Sequence, residues 1–301
     1  MRRLFIPLVL AAFVAAPAAA QGQQDFSKVE ITTTKISNNF VALDGQGGRI
    51  GVLYGPDGIF MVDSQFAPLS DKIMAAIRAV SDQKIKFLLN THVHGDHTGG
   101  NENFGKAGAT IIARPMLKQR LMKPTPPANG GAAPAGAPAA AIPGYVIDER
   151  TRMMMDGETI DLIPLPVAHT DGDTAVKFKN NNVLMTGDVF RSLGFPNIDR
   201  ANGGSLKGML AAFDVLIAAA DAKTKVLPGH GPITNRAGLI AHKKMALALR
   251  DQVSKMIAQG KTQEQIVAAK ITNPYEKQTG NAAGTGDRFI GQVYAELKAS
   301  S

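Results

Sequence analysis

Apolar and polar positions along the chain predict strands and helices in an order that occurs twice. Residues 29–62 are strand-like and contain the turn signal Pro56-Asp57-Gly58, which predicts an antiparallel meander. Apolar residues at helical spacing predict a helix over 68–82, and a short apolar run predicts a strand over 85–91. Further along, the pattern predicts strands over 109–114, 158–170, 174–180, 182–190 and 224–231, and helices over 115–122, 204–220 and 238–260. The second half therefore repeats the outline of the first, without a repeat of the sequence itself.

This order predicts an α/β (α+β) protein in which two sheets pack face to face between outer helices, a four-layer αββα sandwich. The chain has 301 residues, and we expect residues 21–301 to form a single domain. Residues 123–143 differ in composition, because they are rich in Pro, Ala and Gly and lack a periodic apolar face. We expect an extended insertion there, either a plain surface loop or a flap over a site.

The first residues have the pattern of an export signal. Two arginines precede an apolar run, and three alanines stand before Gln21. The apolar part is short for a membrane span, which favours a cleaved signal peptide over an uncleaved anchor. We therefore predict a signal peptide at residues 1–20, a secreted or periplasmic protein, and no stable membrane insertion after cleavage.

Composition excludes several kinds of chemistry. The formal net charge is +8, but the basic residues are dispersed and form no block, so we interpret them as solvated surface charge and expect no nucleic-acid partner. The chain contains no cysteine, which excludes disulfides, thiolate metal ligands and a cysteine nucleophile. Any metal ion must therefore be held by His, Asp or Glu.

The stretch HVHGDH concentrates such residues just after a predicted strand. On an extended segment His92, His94 and Asp96 would point the same way, and His97 would turn to a neighbouring position where the chain bends at Gly95. Imidazole and carboxylate groups are ligands for zinc, iron and manganese. One turn cannot complete the coordination of two ions, so this hypothesis requires further ligands at the ends of other strands.

Three loops that follow strand-like runs offer such ligands, with side chains at His169, Asp188 and His230. Taken singly, each would be an ordinary hydrogen-bonded loop residue. Together with HVHGDH they predict a metal site. The sixth histidine, His242, lies inside the long predicted helix and is interpreted as a surface or packing residue.

With these positions the sequence resembles the metallo-β-lactamase superfamily of metal-dependent hydrolases, over about residues 29–240. The resemblance implies an αββα sandwich with its site at one edge, between the sheets. It implies two metal positions with three side chains each: His92, His94 and His169 for one, and Asp96, His97 and His230 for the other. Asp188 would bridge the two ions, and Asp63 would support the ligand turn from outside the coordination sphere, unless it is only a strand-end turn residue.

The resemblance also implies a mechanism and a small-molecule substrate. Two zinc ions, with iron or manganese as alternatives, would share a hydroxide, because coordination lowers the pKa of water from 15.7 to about 7. That hydroxide would attack a small amide, ester or lactone, and the catalytic carboxylate of Asp96 would orient the hydroxide or its proton. No serine or cysteine nucleophile is then required.

For the substrate we predict a β-lactam, because export favours β-lactams and other small exported esters over glutathione thioesters. Arg191 is expected to pair with a substrate carboxylate, and Asn197 to help polarise the lactam carbonyl. However, established β-lactamases of the family have cysteine or serine where this chain has Asp188, whereas aspartate is usual in the esterase and thioesterase branches. The alternative is an aspartate-bridged esterase, lactonase or thioesterase with only promiscuous β-lactamase activity.

Other classes fit the sequence less well. A metallo-nuclease or phosphodiesterase would suit the positive charge, but no aromatic-interleaved basic patch is present. An iron oxidoreductase is a further alternative, because the fold also includes iron-dependent oxidoreductases. In a non-catalytic metal-binding or interaction module we would expect at least one of the ligand positions to be lost, and all seven are present in this sequence. The sequence leaves the oligomeric state open.

Overall fold

The computed structural model describes residues 25–126, 132 and 134–299. The predicted signal peptide at 1–20 lies outside these residues, as does the middle of the predicted insertion. The described strands are β1 (Thr32–Lys35), β2 (Phe40–Asp44), β3 (Ile50–Gly55), β4 (Gly58–Val62), β5 (Ile85–Leu89), β6 (Thr110–Ala113), β7 (Tyr145–Val146), β8 (Thr151–Met155), β9 (Glu158–Pro164), β10 (Thr174–Phe178), β11 (Val183–Met185) and β12 (Lys225–Leu227). The described helices are α1 (Ser70–Arg78), α2 (Gly95–Thr98), α3 (Asn101–Lys106), α4 (Pro115–Met122), α5 (Leu206–Ala219), α6 (Arg236–Ala258), α7 (Gln263–Ala268) and α8 (Thr285–Ala299).

The strands form two sheets. The first has the order β1-β2-β3-β4-β5-β6-β7, and its first four strands are antiparallel, which confirms the predicted meander. The strands β5, β6 and β7 continue the sheet in parallel. The second sheet has the order β12-β11-β10-β9-β8 and is antiparallel except for the parallel pair β11 and β12. Parallel neighbours need a crossover, which α1 supplies between β4 and β5, α2 and α3 between β5 and β6, α4 between β6 and β7, and α5 between β11 and β12.

Alternation along the strands explains the layers. Phe60 and Val62 of β4 face the second sheet, whereas Ile59 and Met61 of the same strand face α1. On the other side, Leu184 of β11 packs under α5, α6 and α8. Because both faces of each sheet are covered, the central strands are apolar almost throughout. The predicted αββα sandwich is confirmed.

Several elements differ from the prediction. The stretch Gly95–Thr98 is a one-turn helix and not an extended segment, so the alternation expected at Asp96 does not hold. Strands β7 and β8 and helices α3, α7 and α8 were not predicted, although Phe289, Ile290 and Val293 bury the helically spaced apolar face of α8. No helix in the described part of the chain is long and apolar enough to cross a membrane.

The predicted insertion is only partly extended in its described residues. Ala139–Ala141 forms a short 3-10 helix, and Ala141 is buried. The side-chain amide of Asn101 donates to the Ala141 carbonyl at 3.2 Å, and a Cβ at Gly105 would lie 2.0 Å from the Ala140 carbonyl oxygen. The end of the insertion is therefore packed against α3.

Candidate metal centre

Asp63 anchors the loop that follows β5. It comes directly after β4 and has a φ of +61°, a conformation that Asp tolerates better than most residues. Its Oδ1 accepts a hydrogen bond from the Thr91 amide at 2.7 Å, and its Oδ2 accepts from the Thr91 hydroxyl at 2.7 Å. The same Oδ2 lies 2.7 Å from Nδ1 of His97. Asp63 therefore sets the loop and turns Nε2 of His97 toward the cluster described below, as its predicted supporting role requires.

A glycine loop between β2 and β3 covers the other side of this turn. A Cβ at Gly48 would lie 2.1 Å from Cε1 of His97, and a Cβ at Gly47 would lie 3.0 Å from the Asp96 side chain. Gly48 also donates its amide to the Asp96 carbonyl at 3.0 Å. The absence of side chains lets this loop approach closely enough to hold the His97 ring against Asp63.

The first group of side chains is His92, His94, His169 and Asp188, whose ligand atoms lie within 4.8 Å of one another. Nδ1 of His94 is 3.2 Å from Nε2 of His92 and 3.0 Å from Nε2 of His169. Burial, followed by the charges of neighbouring histidines, lowers the pKa of His92 well below its ordinary value. Burial also lowers the pKa of His169 to about 4. Neutral imidazoles that face one another present lone pairs to a common point.

The second group is Asp96, His97 and His230, with ligand atoms within the same 4.8 Å limit. Oδ2 of Asp96 is 3.1 Å from Nε2 of His230 and 3.6 Å from Nε2 of His97. Burial by itself would raise the pKa of the Asp96 carboxyl, but the hydrogen bond from His230 and the charge of His97 bring it down to about 2. Asp96 is therefore a carboxylate at neutral pH.

Asp188 lies between the two groups. Its Oδ1 is 3.3 Å from Nε2 of both His97 and His230, and its Oδ2 is 3.9 Å from Nε2 of His169. Oδ1 is buried and makes no hydrogen bond with any described residue. A Cβ at Gly229 would lie 2.1 Å from this oxygen, so only glycine leaves it room. One carboxylate thus directs one oxygen at each group, as the predicted bridging role requires.

These residues fit a pair of divalent cations. Carboxylates of Asp63, Asp96, Asp188 and Asp199 lie within 4 Å of four of the five clustered histidines, which are His94, His97, His169 and His230. Carboxylates in a buried place require positive partners, and metal ions bound at the two groups would supply them. Oδ1 of Asp188 is a buried acceptor without a hydrogen-bond partner among the described residues, and a metal ion bound there would satisfy it. Nitrogen and oxygen donors without sulfur suit zinc, iron or manganese. The structure brings all seven predicted ligands together.

Two histidines have outer partners that position their rings. His169 donates from Nδ1 to the main-chain carbonyl of Asn197 at 2.7 Å. Nε2 of His94 lies 2.7 Å from Oδ2 of Asp199. Asp199 stands in a loop without strand or helix pattern and is 105 positions from His94, so no local signal in the sequence marks it. Such partners fix the tautomer of a ligand and raise its basicity.

The two predicted substrate residues lie next to this centre. Nη1 of Arg191 is 3.4 Å from Oδ2 of Asp188, and its buried Nε has no hydrogen-bond partner among the described residues. The Asn197 side chain accepts a hydrogen bond from Nε2 of Gln292 at 2.9 Å, while its carbonyl holds His169. Both substrate contacts stay predictions.

The sixth histidine takes no part in the centre. His242 is buried in α6, with its ring centroid 5.1 Å from that of Phe190 and 5.7 Å from that of Phe213. Burial lowers its pKa to about 3. Its interpretation as a packing residue agrees with these contacts.

A cavity of about 290 Å³ reaches the centre at His94. Its lining includes Asp199, Arg120 and residues 124–126, the described start of the predicted insertion. A larger cavity of about 440 Å³ lies on the other side of Asp199, against α8, and its lining contains none of the seven predicted ligands. A part of a substrate that occupies the smaller cavity would therefore lie beside the cluster.

Comparisons with known proteins point to one family. The family model described as metallo-beta-lactamase superfamily matches residues 44–230. A hydroxyacylglutathione hydrolase of Nitrosococcus oceani is 27% identical over 220 residues, which are 70% of this chain and 72% of that protein. A hydroxyacylglutathione hydrolase of Polaromonas sp. is 29% identical over 171 residues, which are 56% of this chain and 57% of that protein.

Solved structures agree in fold. A metallo-beta-lactamase from Pontibacter korlensis superposes with a TM-score of 0.59 at 19% identity, covering 73% of this chain and 99% of that one. A stereoselective inverting sec-alkylsulfatase from Pseudomonas sp. superposes with a TM-score of 0.67 at 16% identity, covering 88% of this chain and 50% of that one. At these identities the likeness concerns the fold alone.

Proposed function

The chain belongs to the metallo-beta-lactamase superfamily and is a metal-dependent hydrolase, and on this premise we propose that it cleaves a small acyl thioester or ester. The observation that carries the proposal is the position of Asp188. A carboxylate here directs one oxygen at each group of ligands, 3.3 Å and 3.9 Å from the nearest histidine nitrogens. This is the arrangement expected of the aspartate-bridged esterase and thioesterase branch.

The relatives support the same substrate class. Both curated relatives are named hydroxyacylglutathione hydrolase, and a hydroxyacyl glutathione is a thioester. A thiolate leaves readily, so a thioester requires less help at its leaving group than an amide does. The predicted β-lactam hydrolysis remains a secondary activity in this proposal, because it depends on Arg191 and Asn197 as substrate contacts.

Zinc ions held by the two groups, or iron or manganese in their place, would supply activation of water and polarisation of the carbonyl oxygen. In the net reaction a water oxygen bonds to the acyl carbon, the bond from that carbon to sulfur breaks, and the acid and the thiol are released. Oδ2 of Asp96 faces both His97 and His230, and as a carboxylate at neutral pH it can accept a hydrogen bond from the attacking water and orient it. The guanidinium of Arg191 would bind an anionic group of the substrate.

The rest of the chain orients and shields the reaction. The cavity beside His94 takes the acyl or thiol part, and Asp63, Asp199 and the Asn197 carbonyl hold three of the histidine rings in place. Because the histidine rings are already oriented, no conformational entropy has to be lost in ordering them during the reaction. Export of the chain, with cleavage after Ala20, forms part of the proposal, and an exported enzyme would then act on a small thioester or ester other than a glutathione thioester. Sequencing the amino terminus of protein collected outside the cytoplasm would test the export.

The experiment that tests the function compares four substrates with the zinc-loaded protein. These are a hydroxyacyl thioester followed by release of free thiol, an aryl ester, a lactone and a chromogenic cephalosporin. We expect the thioester or the ester to have the highest kcat/KM, with activity lost on chelation and restored by zinc. Faster cephalosporin opening would replace the proposal with β-lactam hydrolysis. Activity that survives complete chelation would reject a metal-dependent reaction.

A further inference from the structure

Arg120 on α4 joins two loops that support the first group of ligands. Its Nε and one terminal nitrogen donate to the two carboxylate oxygens of Asp171, at 2.8 Å and 2.6 Å. Its other terminal nitrogen donates to Oδ1 of Asn202 at 3.1 Å and to the Thr125 hydroxyl at 2.7 Å. A planar guanidinium can make these bonds at once, and a lysine ammonium cannot reproduce the paired contact.

Asn202 continues the network to the metal centre. Its side-chain amide donates to Oδ2 of Asp199 at 2.6 Å, and its main-chain amide donates to Oδ1 at 3.2 Å. The same Oδ2 of Asp199 lies 2.7 Å from Nε2 of His94. A continuous series of contacts therefore leads from Arg120 through Asn202 and Asp199 to a predicted ligand.

The second loop that Arg120 joins carries His169. Asp171, the partner of Arg120, stands two residues after this histidine and donates its amide to the Asn202 carbonyl at 3.0 Å. The Asp199 amide in turn donates to the His169 carbonyl at 2.9 Å. Both loops thus support ligands of the first group only, whereas the second group is held by Asp63 and by the glycines that face it.

We propose that Arg120 is a positioning residue for the first metal site, acting on His94 through Asn202 and Asp199. The proposal rests on the metal centre of the proposed function and not on the choice of substrate. Because the Arg120 and Asp171 side chains are only 15% and 14% exposed, solvent screens their pairing weakly. Thr125 belongs to the same network, so the start of the predicted insertion is joined to the metal site as well.

The test measures zinc binding and not turnover. Full-length protein stripped of metal is titrated with zinc against a chromophoric chelator, which resolves the two dissociation constants. In Arg120→Ala we expect one constant to rise about tenfold, the lower end of the range for outer partners of metal ligands, and the other to stay unchanged. The absorption spectrum of the cobalt-loaded variant should change for the same site only.

Arg114→Ala is the matched control. Arg114 precedes α4 and its side chain is 16% exposed. Its guanidinium donates to the Leu165 carbonyl and to Asp148, and neither partner belongs to the 199–202 loop. Its variant should keep both zinc constants. Asn202→Ala should raise the zinc dissociation constant of the same site as Arg120→Ala. In the double variant this constant should be no higher than in the more affected of the two single variants, since both changes interrupt the same series of contacts.

The proposal is overturned if Arg120→Ala leaves both zinc constants unchanged, weakens both sites equally, or matches Arg114→Ala. If Arg120→Ala does not fold, Asn202→Ala carries the same test with the same outcomes. Repeating the titration with Arg120→Ala in a His230→Ala background, which removes one ligand of the second group, shows which of the two sites is affected. Because no step measures hydrolysis, the result stands whether the substrate proves to be a thioester, an ester or a β-lactam.

Discussion

Nδ1 of His97 lies 2.7 Å from Oδ2 of Asp63, and both side chains are almost completely excluded from solvent. A carboxylate at this distance places a proton on Nδ1, so that in the neutral ring the lone pair on Nε2 is available to a metal ion. The same carboxylate accepts two bonds from Thr91, so the loop that carries His92 and the ring of His97 share one support.

Asp63→Asn tests this support. Asparagine also tolerates the φ of +61° and can accept from the Thr91 amide, but its NH₂ would face His97 Nδ1 and favour the wrong tautomer. We expect zinc affinity of the second group to fall by about 10-fold to 100-fold. Competitive zinc titration measures it. Asp156→Asn is the control, because Asp156 also has a positive φ, at 54°, and contacts Asp57 instead of the centre. Equal zinc affinity in wild type and Asp63→Asn would contradict the supporting role.

Gly229→Ala tests the space around Asp188. The new Cβ would lie 2.1 Å from Asp188 Oδ1, so the carboxylate must move and can no longer face both groups. We expect loss of bound zinc, measured as metal content after dialysis, and destabilisation by about 1–3 kcal/mol from overpacking. Gly95→Ala is the control within the same site, because a Cβ there meets nothing within 4 Å. If Gly229→Ala kept its full zinc content, the bridging position of Asp188 would be wrong.

Asp96→Asn tests the predicted catalytic carboxylate. The change keeps the shape but replaces the carboxylate that would orient the attacking water by a neutral amide, and we expect kcat to fall at least about 100-fold. The temperature of thermal unfolding should stay close to that of wild type, because Asp96 lies at the surface of the cluster, 24% exposed. Steady-state kinetics with the best substrate of the panel measure the effect, and a variant with unchanged kcat would exclude Asp96 from the reaction.

Arg191→Ala tests the predicted anion contact. Hydrogen bonds to charged groups contribute about 1.5–3 kcal/mol, so KM for a carboxylate-bearing substrate should rise roughly 10-fold to 100-fold. A neutral ester of the same compound should keep its KM. Arg200→Ala is a suitable control, because Arg200 is exposed and lines the larger cavity instead. Equal changes for the charged and the neutral substrate would remove Arg191 from substrate recognition.

His242→Leu tests a buried histidine outside the centre. Burial lowers the pKa of His242 to about 3, so below its ordinary pKa of 6.5 the unfolded chain binds a proton that the folded chain does not. The free energy of unfolding therefore falls as the pH falls, and by pH 5 this group alone accounts for about 2 kcal/mol. Urea unfolding at pH 7.5 and pH 5 should show a smaller loss in His242→Leu than in wild type. Equal losses would contradict the buried neutral state.

Local patterns in the sequence predict the ligands because each is defined by its near neighbours. HVHGDH follows an apolar strand directly, and Asp188 and His230 follow strand-like runs with flanking glycines. The chain leaves the extended conformation at Gly95, where the helical turn begins, but the alternation predicted to continue to Asp96 is wrong. A stretch this short carries no helical periodicity, so the pattern could not distinguish the two conformations.

The sequence by itself determined the sandwich, the approximate elements and the seven side chains that the structure gathers into the candidate metal centre, because strand alternation, turn residues and ligand spacing are properties of short segments. Only the tertiary structure decided how the ligands are supported. Asp199 meets His94 across 105 positions, and Arg120 meets Asp171 and Asn202 across 51 and 82 positions. Contacts of this kind depend on the packing of separate loops, and no periodicity or local motif encodes them.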